Sequence, residues 1–228
     1  MEQNEGKMRG GRLTPEQLAE KYEAMSLYEQ SAASQGYSRI AGMDEAGRGP
    51  LAGPVVAAAV ILDPSVKILG VDDSKKLSPA KRQRLRQDIE EKALAVSVGI
   101  VDVETIDRVN ILEATKLAMK KALEGLNPRA EIVLIDALTL PDLIIAQYPI
   151  VKGDSLSVSI AAASIVAKET RDDMMRAYGE LYPEYGLAKH KGYGTRDHIE
   201  AIRTYGASPL HRKSFLKNIT GTEQECGA

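Results

Sequence analysis

Residues 43–54, which read MDEAGRGPLAGP, restrict the possible folds of this chain more than any other segment. A short apolar run precedes them and a longer one, residues 55–62, follows, so the pattern predicts a strand, a tight turn and a second strand. The glycines let the backbone turn sharply and approach a ligand closely, because they carry no Cβ atom. Successive strand residues point to opposite faces, so Asp44 and Glu45 can share one ligand only where the strand ends or twists.

The chemistry of this turn allows two interpretations. Two carboxylates beside exposed amides and one arginine, Arg48, can hold a cation and a phosphodiester together. An isolated Asp-Glu-x-Gly, however, is more often an ordinary exit from a strand into a turn. The other acidic residues of the chain are therefore needed to decide between a ligand site and a plain turn.

The composition is that of a soluble globular protein. The chain has 228 residues, of which 43% are hydrophobic and 27% charged, which suits one domain or one domain with an appendage. It contains no apolar stretch long enough to span a bilayer, and its first twelve residues are polar and lack a signal-peptide pattern. A single cysteine, Cys226, excludes an intrachain disulfide and a cysteine metal cluster. We therefore expect a cytoplasmic protein without a membrane partner.

Capping signals and apolar spacing predict the other elements. Thr14, Pro15 and Gln17 begin an amphipathic helix that runs to about residue 33. The same signals predict helices capped by Ser78, Asn110, Ser155 or Ser157, and Thr195, and strands at residues 95–101, 132–136 and 143–147. In the last helix, Ile199, Ile202 and Tyr205 are expected to point inward. The basic residues 81–86 form either a solvated helix face or a phosphate contact.

Two further acids stand beside apolar segments. Asp136 follows four consecutive apolar residues, which are typical of a central strand buried on both faces. Burying such an acid is costly unless a cation or hydrogen bonds compensate it, although a lone aspartate at a strand end more often turns into solvent. Asp154 precedes a long apolar helix and would stabilise the positive end of that helix even without a catalytic role.

The C-terminal segment is locally basic, although the whole chain has a formal net charge of −2. Residues 189–217 contain seven Lys or Arg against two acids, which predicts a surface for phosphate groups. Tyr193 lies between two glycines and either covers the edge of the core or exposes its ring for stacking; the pattern alone favours the core edge. His190 and His211 are expected at the surface or at helix caps.

Asp44, Glu45, Asp136 and Asp154 together suggest a metal site. Carboxylates without cysteine or a suitably spaced histidine cluster favour hard divalent ions, Mg²⁺ or Mn²⁺. Acids at the strand ends of an α/β sheet are where such sites gather. Two ions about 4 Å apart can activate water and stabilise the leaving oxygen of a phosphodiester.

Several separate motifs make the chain resemble the type 2 ribonuclease H family, ribonuclease HII, from about residue 40 to residue 215. They are residues 43–54, DSKKLS at 73–78, ID at 135–136, KGD at 152–154, residues 160–172, and HKGYGT at 190–195. The resemblance implies an α/β fold of the ribonuclease H type, with a mixed five-stranded sheet flanked by helices and a helical C-terminal part that closes over the substrate. One departure is Ala137, which stands where the family pattern leads us to expect glycine.

The same resemblance implies residue roles. Asp44, Glu45, Asp136 and Asp154 would be the catalytic, metal-binding carboxylates for Mg²⁺ or Mn²⁺. Five further residues would bind the substrate: Gly47, Arg48, Gly49, Lys75 and Tyr193. The backbone of residues 47–49 would read the ribonucleotide 2′-OH, which separates RNA from DNA at the cut. The tyrosine would stack on the neighbouring deoxyribose, and the lysine would contact phosphate.

The implied reaction is endonucleolytic hydrolysis of RNA in RNA–DNA hybrids. It includes single ribonucleotides embedded in duplex DNA, cut on their 5′ side to leave 3′-hydroxyl and 5′-phosphate ends. One alternative is another metal-dependent nuclease on the same fold, such as a junction resolvase or an exonuclease, which explains the acids but not residues 47–49 together with Tyr193. The other is a non-catalytic hybrid-binding module, in which four carboxylates near phosphates would weaken binding.

We expect three regions along the chain. Residues 1–36 form a polar tail and an amphipathic helix, and residues 218–228 form a second polar tail. Residues 37–217 form a ribonuclease H-like catalytic domain, in which the helical part from about residue 180 binds the substrate. The expected partner is nucleic acid, and the expected oligomeric state is a monomer.

Overall fold

The structure, a computed structural model, describes residues 13–141, 143–217 and 219. Within these residues the helices are α1 (Pro15–Met25), α2 (Leu27–Ser34), α3 (Pro79–Lys92), α4 (Val103–Val109), α5 (Ile111–Glu124), α6 (Val158–Leu181), α7 (Leu187–His190) and α8 (Arg196–Tyr205). The strands are β1 (Ile40–Ala46), β2 (Val55–Ile61), β3 (Ala95–Val101), β4 (Ile132–Asp136) and β5 (Ala146–Ile150). None of the described helices is long and apolar enough to cross a membrane. Residues 1–12, 218 and 220–228, which make up most of the two expected tails, lie outside the described residues.

The strands form one mixed sheet in the order β3-β2-β1-β4-β5, which confirms the predicted fold class. β1 pairs antiparallel with β2, and β2 with β3, whereas β4 runs parallel to both β1 and β5. Met43 in β1 pairs with Ile135 in β4. Because parallel strands end at the same edge of a sheet, the residues that follow this pair, Asp44 and Asp136, lie side by side.

Helices cover both faces of the sheet. α6 packs on β1 and β2 through small residues such as Ala162, and α5 packs on the opposite face of β2 and β3 through Ala118. The approach of α6 is so close that a Cβ atom added to Gly42 in β1 would lie 2.0 Å from the Ser159 carbonyl carbon. The central strands are therefore buried on both sides, as the apolar run before Asp136 predicts.

The C-terminal elements form a separate small core at the far end of α6. Its buried members are Ala52, Met175, Tyr185, Leu187, Ile202 and Leu216. Two backbone hydrogen bonds of 2.8 Å, from Gly53 N to Leu210 O and from Arg212 N to Leu51 O, join this part to the turn after β1. The helical C-terminal part is therefore anchored directly on the 43–54 segment.

The N-terminal helices pack on the body, a point that the sequence leaves open. Glu29 of α2 accepts hydrogen bonds at Oε1 from Ser159 N (3.0 Å) and from the hydroxyls of Ser157 (2.5 Å) and Ser159 (2.6 Å) at the start of α6. A carboxylate is favourable there because the first turn of a helix carries a partial positive charge. Lys21 of α1 forms an ion pair with Asp72, in the loop that precedes α3.

The single helix expected from Pro15 to about residue 33 is wrong, because two helices occupy this range. Ser26 is both the last cap of α1 and the first cap of α2, and its hydroxyl donates to the Tyr22 carbonyl (2.7 Å). A serine hydroxyl that competes for a helix carbonyl favours a break of this kind. Apolar spacing alone cannot detect it, since Met25 is buried within the same surface.

The strand expected at residues 143–147 is shifted to Ala146–Ile150. Leu143 and Ile145 are partly buried against the core from a loop, so their apolar character reflects packing rather than strand pairing. Pro149 is accommodated because β5 is an edge strand, where a missing backbone N–H leaves no partner unpaired. The inward orientation expected for Tyr205 is also wrong, since this residue, at the end of α8, is 61% exposed.

Candidate active site

Three aspartates meet at the carboxyl-terminal edge of β1 and β4. Asp44 is supplied by β1, Asp136 by the end of β4, and Asp154 by the short helical turn Gly153–Ser155. One carboxylate oxygen from each lies within 4.8 Å of the other two. Gly153 N donates to Asp136 Oδ1 (2.7 Å), which ties this turn to the strand end. The structure therefore brings together three of the four predicted carboxylates.

The surroundings of Asp44 and Asp154 oppose the ionisation of these two aspartates. Burial, followed by the negative charge of Glu45, raises the pKa of Asp44 well above its ordinary value, although the nearby Ser164 side chain acts in the opposite direction. Burial also raises the pKa of Asp154, together with the charges of Asp73 and Asp136. Carboxylates whose pKa values are raised in this way are stabilised when a positive charge binds beside them.

Glu45 lies beside this set but is not part of it. It follows Asp44 within β1 and so points to the other face of the strand, where Arg48 Nη1 lies 3.4 Å from Glu45 Oε1. Burial raises the pKa of Glu45, and the charge of Arg48 partly offsets this effect. Glu45 Oε2 is buried and receives no hydrogen bond from any described residue.

This donor set fits a hard divalent cation. It offers carboxylate oxygens only, and the described residues bring no histidine or cysteine into the three-aspartate set. Mg²⁺ and Mn²⁺ prefer such ligands. A bound cation of this type would give the buried, unpartnered Glu45 Oε2 a partner. It would also favour the ionised form of Asp44, whose pKa is raised in its absence.

A cleft of about 210 Å³ opens beside the aspartates and contains most of the predicted site. The predicted residues that line it are Asp44, Glu45, Gly47, Arg48, Gly49, Lys75 and Tyr193. The remaining lining residues are Ala46, Ser74, Ser164, Lys168 and Arg171. Asp136 and Asp154 join the same site through Asp44, so the structure brings the four predicted acids and the five predicted substrate contacts to one location.

Tyr193 presents its ring to this cleft. The residue is 47% exposed, and its Cε1 atom lies 3.9 Å from the position of a Cβ atom built on Gly49. This exposure favours a ring available for stacking over the core-edge position that the sequence pattern alone favours. Lys75 is 79% exposed at its side chain, and its Nζ lies 3.8 Å from Asp154 Oδ2.

Two buried arginines, which sequence reasoning missed, anchor the turn at residues 47–54 through its backbone carbonyls. Arg212 donates to the carbonyls of Gly47 (2.6 Å), Arg48 (2.9 Å), Gly53 (2.8 Å) and Pro54 (3.2 Å). Arg171 donates to the carbonyls of Ala52, Pro54 and Lys191, each at 3.0 Å. Gly47 has φ +96°, and a Cβ atom there would lie 2.1 Å from Arg171 Nε, so only glycine fits.

Several charged or titratable residues are buried, so their roles differ from those expected for surface residues. Burial lowers the pKa of Arg212 to about 9, with the nearby charge of Arg171 as a second cause. In the sequence Arg212 looks like a member of the basic surface at residues 189–217, and charge alone contains no signal of its burial. His211, expected at the surface or at a cap, is only 2% exposed, so that prediction is wrong.

Arg82 connects α3 to the cleft, and neither interpretation of residues 81–86 holds for it. Its Nε donates to Glu169 Oε1 of α6 (2.6 Å), and its Nη1 donates to the carbonyl of Leu77 (2.8 Å). The segment so anchored includes Ser74, whose hydroxyl accepts a hydrogen bond from Ser164 Oγ (2.9 Å) beside Asp44. Arg82 is thus a buried ion-pair partner rather than a solvated or phosphate-facing residue.

Ala137 adopts the backbone conformation that explains the expectation of glycine. Its φ is +49°, in the left-handed region that residues with a Cβ rarely occupy. Its N–H donates to the Ile150 carbonyl (3.0 Å), which continues the pairing of β4 with β5 beyond Asp136. The local strain is therefore offset by a hydrogen bond, and the position of Asp136 is maintained.

Comparisons with known proteins agree with this geometry. The family model described as "Ribonuclease HII" matches residues 41–218. A curated ribonuclease HII from Clostridioides difficile is 56% identical over 200 residues, which cover 88% of this chain and 78% of the relative. The crystal structure of ribonuclease H2 from Pyrococcus horikoshii OT3 matches with a TM-score of 0.67 and 27% identity over 80% of this chain and 97% of that chain.

A further solved structure, Bst-RNase HIII in complex with Mn²⁺, matches with a TM-score of 0.62 and 26% identity, over 78% of this chain and 67% of that chain. The likeness therefore extends across the sheet, the flanking helices and the C-terminal part. It supports a metal-dependent endoribonuclease acting on RNA–DNA hybrids and favours neither alternative. Since the family match spans residues 41–218 and a relative is 56% identical over most of the chain, this chain belongs to the ribonuclease HII family.

Proposed function

We propose that this enzyme hydrolyses the RNA strand of RNA–DNA hybrids and also cuts on the 5′ side of single ribonucleotides embedded in duplex DNA. The cut leaves 3′-hydroxyl and 5′-phosphate ends. The observation that carries the proposal is the single cleft in which the acids, the 47–49 turn and the exposed ring of Tyr193 meet. A binding module would need only the last two features.

Asp44, Asp136 and Asp154 would hold a divalent cation, and Glu45 would contribute its unpartnered Oε2. The solved relative that contains Mn²⁺ supports Mg²⁺ or Mn²⁺ for this role. When bound, such ions supply Lewis-acid activation of water and stabilise the charge of the leaving oxygen.

The backbone of the 47–49 turn would recognise the 2′-OH. The carbonyls of Gly47 and Arg48 accept hydrogen bonds from Arg212, and in a trans peptide the N–H points away from the carbonyl. The N–H groups of Arg48 and Gly49 are thereby directed away from Arg212, and no described residue accepts a hydrogen bond from them. They can bind a ribose hydroxyl, which deoxyribose lacks.

Tyr193 would stack on the deoxyribose next to the ribonucleotide, and Lys75 and Arg48 would contact phosphates. The support for stacking is the exposure of the ring and its position opposite Gly49. The support for the lysine is its exposed ammonium group at the rim of the cleft, where the three-aspartate set would otherwise repel phosphate.

A cleavage assay tests this function. The substrate is a DNA duplex with one ribonucleotide, the control is the same duplex in DNA only, and both are incubated with Mg²⁺, with Mn²⁺ and with a chelator. We expect a metal-dependent cut on the 5′ side of the ribonucleotide and none in the control. Equal cutting of the all-DNA duplex would favour a different nuclease, and no cut with either metal would favour the binding module.

We also infer a cytoplasmic monomer in which residues 37–217 form the catalytic domain. The nucleic-acid substrate and the single cysteine support the compartment, since neither calls for an oxidising environment. Light scattering coupled to gel filtration tests the monomer. A mass near 24.7 kDa is expected, and a mass near twice that value would contradict it.

A further inference from the structure

The rings of all three histidines of the chain, His190, His198 and His211, lie in one cluster next to the Tyr193 turn. The rings of His190 and His198 are 4.4 Å apart between centroids, and those of His198 and His211 are 5.2 Å apart. They come from three places, namely the end of α7, the first turn of α8 and the segment after α8. The metal-dependent reaction uses none of them.

Each imidazole nitrogen in the histidine cluster has a hydrogen-bond partner. Ser208 N donates to His211 Nδ1 (3.0 Å), and His211 Nε2 lies 3.1 Å from His198 Nε2. His198 Nδ1 lies 2.9 Å from the carbonyl oxygen of Tyr193. Outside this chain of contacts, His190 Nε2 donates to the Tyr185 carbonyl (2.7 Å).

The partners determine the position of each proton. A carbonyl oxygen only accepts, so His198 Nδ1 carries a proton, and a backbone N–H only donates, so His211 Nδ1 carries none. A neutral His211 therefore has its proton on Nε2 and donates it to an unprotonated His198 Nε2. The chain of donors runs in one direction, from the Ser208 backbone through both rings to the Tyr193 carbonyl.

The backbone at Tyr193 needs such an anchor. Its neighbours are glycines, and Gly192 has φ +82°, so the segment has access to many conformations. Besides the contact with His198, the Tyr193 backbone forms two hydrogen bonds. Its N–H donates to the His190 carbonyl (3.0 Å), and its carbonyl accepts from Thr195 N (2.8 Å). The His198 contact connects the Tyr193 carbonyl to the buried interior, since His198 is fully buried. The two preceding carbonyls are anchored separately, Gly192 O by Leu51 N (2.8 Å) and Lys191 O by Arg171 (3.0 Å).

We propose that His198 and His211 are positioning residues, which act through the Tyr193 carbonyl to hold the Tyr193 ring against the cleft. The inference rests on the proposed stacking of Tyr193 on the sugar beside the ribonucleotide. The two histidines do not touch the substrate. Their effect is to restrict the turn to the conformation in which the ring faces Gly49, so that binding does not have to order it.

The arrangement tolerates only neutral rings. A second proton on His198 would place two donors face to face at Nε2, and a second proton on His211 would face the Ser208 N–H. No negative charge beside the pair compensates such a charge. The neighbours are the Ser208 hydroxyl (2.8 Å from His211 Nδ1) and the Tyr185 ring at His211, His190 against His198, and Asp197, which instead pairs with Lys189. No carboxylate of a described residue is hydrogen-bonded to either ring.

The pKa values agree with this geometry. Burial lowers the pKa of His198, and burial together with the charge of His198 lowers the pKa of His211 to about 4. The histidine cluster is also not arranged as a metal site. Within the described residues, Asp44, Asp136 and Asp154 form the set of potential ligands whose atoms lie within 4.8 Å of one another, and every imidazole nitrogen is already used.

The first experiment observes the histidines of the unaltered protein. Long-range ¹H–¹⁵N spectra of protein with ¹⁵N-labelled histidine distinguish the two neutral tautomers. We expect a protonated Nδ1 in His198 and a protonated Nε2 in His211, both unchanged from pH 8 to pH 6. The opposite tautomer in either ring, or a charged ring at pH 7, would overturn the inference.

The second experiment removes the contact and measures cleavage of the duplex with one ribonucleotide. His198→Leu is expected to raise KM by about three- to tenfold, the usual effect of one hydrogen bond, with a smaller change in kcat. His198→Asn retains an N–H near the position of Nδ1 and is expected to recover most of the loss. Ile202→Ala is the matched control, because it weakens the packing of the same helix without touching Tyr193.

A double-mutant cycle separates this inference from the proposed function. If His198 acts through Tyr193, His198→Leu adds no further increase in KM to Tyr193→Ala. A normal KM for Tyr193→Ala would overturn the stacking role and the inference with it. A raised KM for Tyr193→Ala with a normal KM for a folded His198→Leu, or an equal rise in KM for Ile202→Ala, would overturn the inference alone.

Discussion

At the scale of the residue, Asp44 combines burial with like charges, a combination that costs stability. Its pKa is raised by burial and by the charges of Glu45 and Asp136. Proteins retain such residues where chemistry requires them, because the strain is relieved when a cation binds. The residue is therefore expected to be unfavourable for the metal-free fold and necessary for turnover.

Asp44→Asn should abolish cleavage and leave binding of an RNA–DNA hybrid largely intact. An amide is a poorer ligand for a divalent cation, and an acid that only binds metal contributes nothing to distant phosphate contacts. In a chelator the variant should melt about 2–4 °C higher, equivalent to about 1 kcal/mol for a chain of this size, because a buried charge is removed. A cleavage assay, a binding assay with the hybrid and calorimetry measure the three effects. Near-normal cleavage would refute the assignment of Asp44 as a metal ligand.

Tyr193→Ala should impair cleavage at a single embedded ribonucleotide with little loss of fold stability. The ring is 47% exposed, so its removal leaves no large cavity. Steady-state kinetics on the single-ribonucleotide duplex and a thermal melt of the same preparation test the two parts. Global unfolding of the variant would instead support a tyrosine that covers the core edge.

At the scale of the element, the turn after β1 owes its shape to contacts from far along the chain. Arg212 follows it by more than 150 residues and still binds four of its carbonyls. The guanidinium is fully buried, and among the described residues it forms no ion pair within 4.0 Å with a carboxylate. Backbone carbonyls thus replace a counter-ion, and the turn and the arginine stabilise each other.

Arg212→Met should destabilise the protein by about 2–4 kcal/mol, since several buried carbonyls lose their donor while the volume of the side chain is nearly kept. Urea unfolding followed by circular dichroism measures this. Arg203→Met is the matched control: Arg203 is exposed on α8, and its replacement should change stability by less than about 0.5 kcal/mol. Equal losses in the two variants would contradict a specific role for Arg212.

At the scale of the whole molecule, His211 makes stability depend on pH on the acid side. Its pKa is lowered from 6.5 to about 4, so the unfolded chain takes up a proton at a higher pH than the folded one. The contribution of His211 is therefore fully present above pH 6.5 and is lost as the pH falls toward 4. The loss amounts to about 3 kcal/mol for this group.

His211→Asn should reduce this dependence. Between pH 7 and pH 4 the unaltered protein should lose about 3 kcal/mol more stability than the variant, although the variant is the less stable of the two at pH 7. Urea unfolding curves at both pH values provide the comparison. Parallel losses in the two proteins would show that other groups, and not His211, control stability in this range.

Most of the fold could be predicted from local patterns. The cap at Asn110 and the apolar run before Asp136 identify α5 and β4 correctly, because capping and continuous apolar runs are properties of neighbouring residues in the chain. The break at Ser26 and the shift of β5 could not be predicted in this way. Both depend on contacts with distant segments, which decide whether an apolar residue pairs in a strand or packs from a loop.

The sequence by itself determined the order of motifs, the family, and the residue types available for chemistry, since these are properties of the chain in one dimension. Only the tertiary structure decided which groups converge. It places Glu45 beside the three-aspartate set rather than within it, exposes Tyr193, and buries Arg212 and His211. The physical reason is that burial and hydrogen bonding arise from segments that are remote in sequence, so a charge or an aromatic ring acquires its role only when the fold has defined its surroundings.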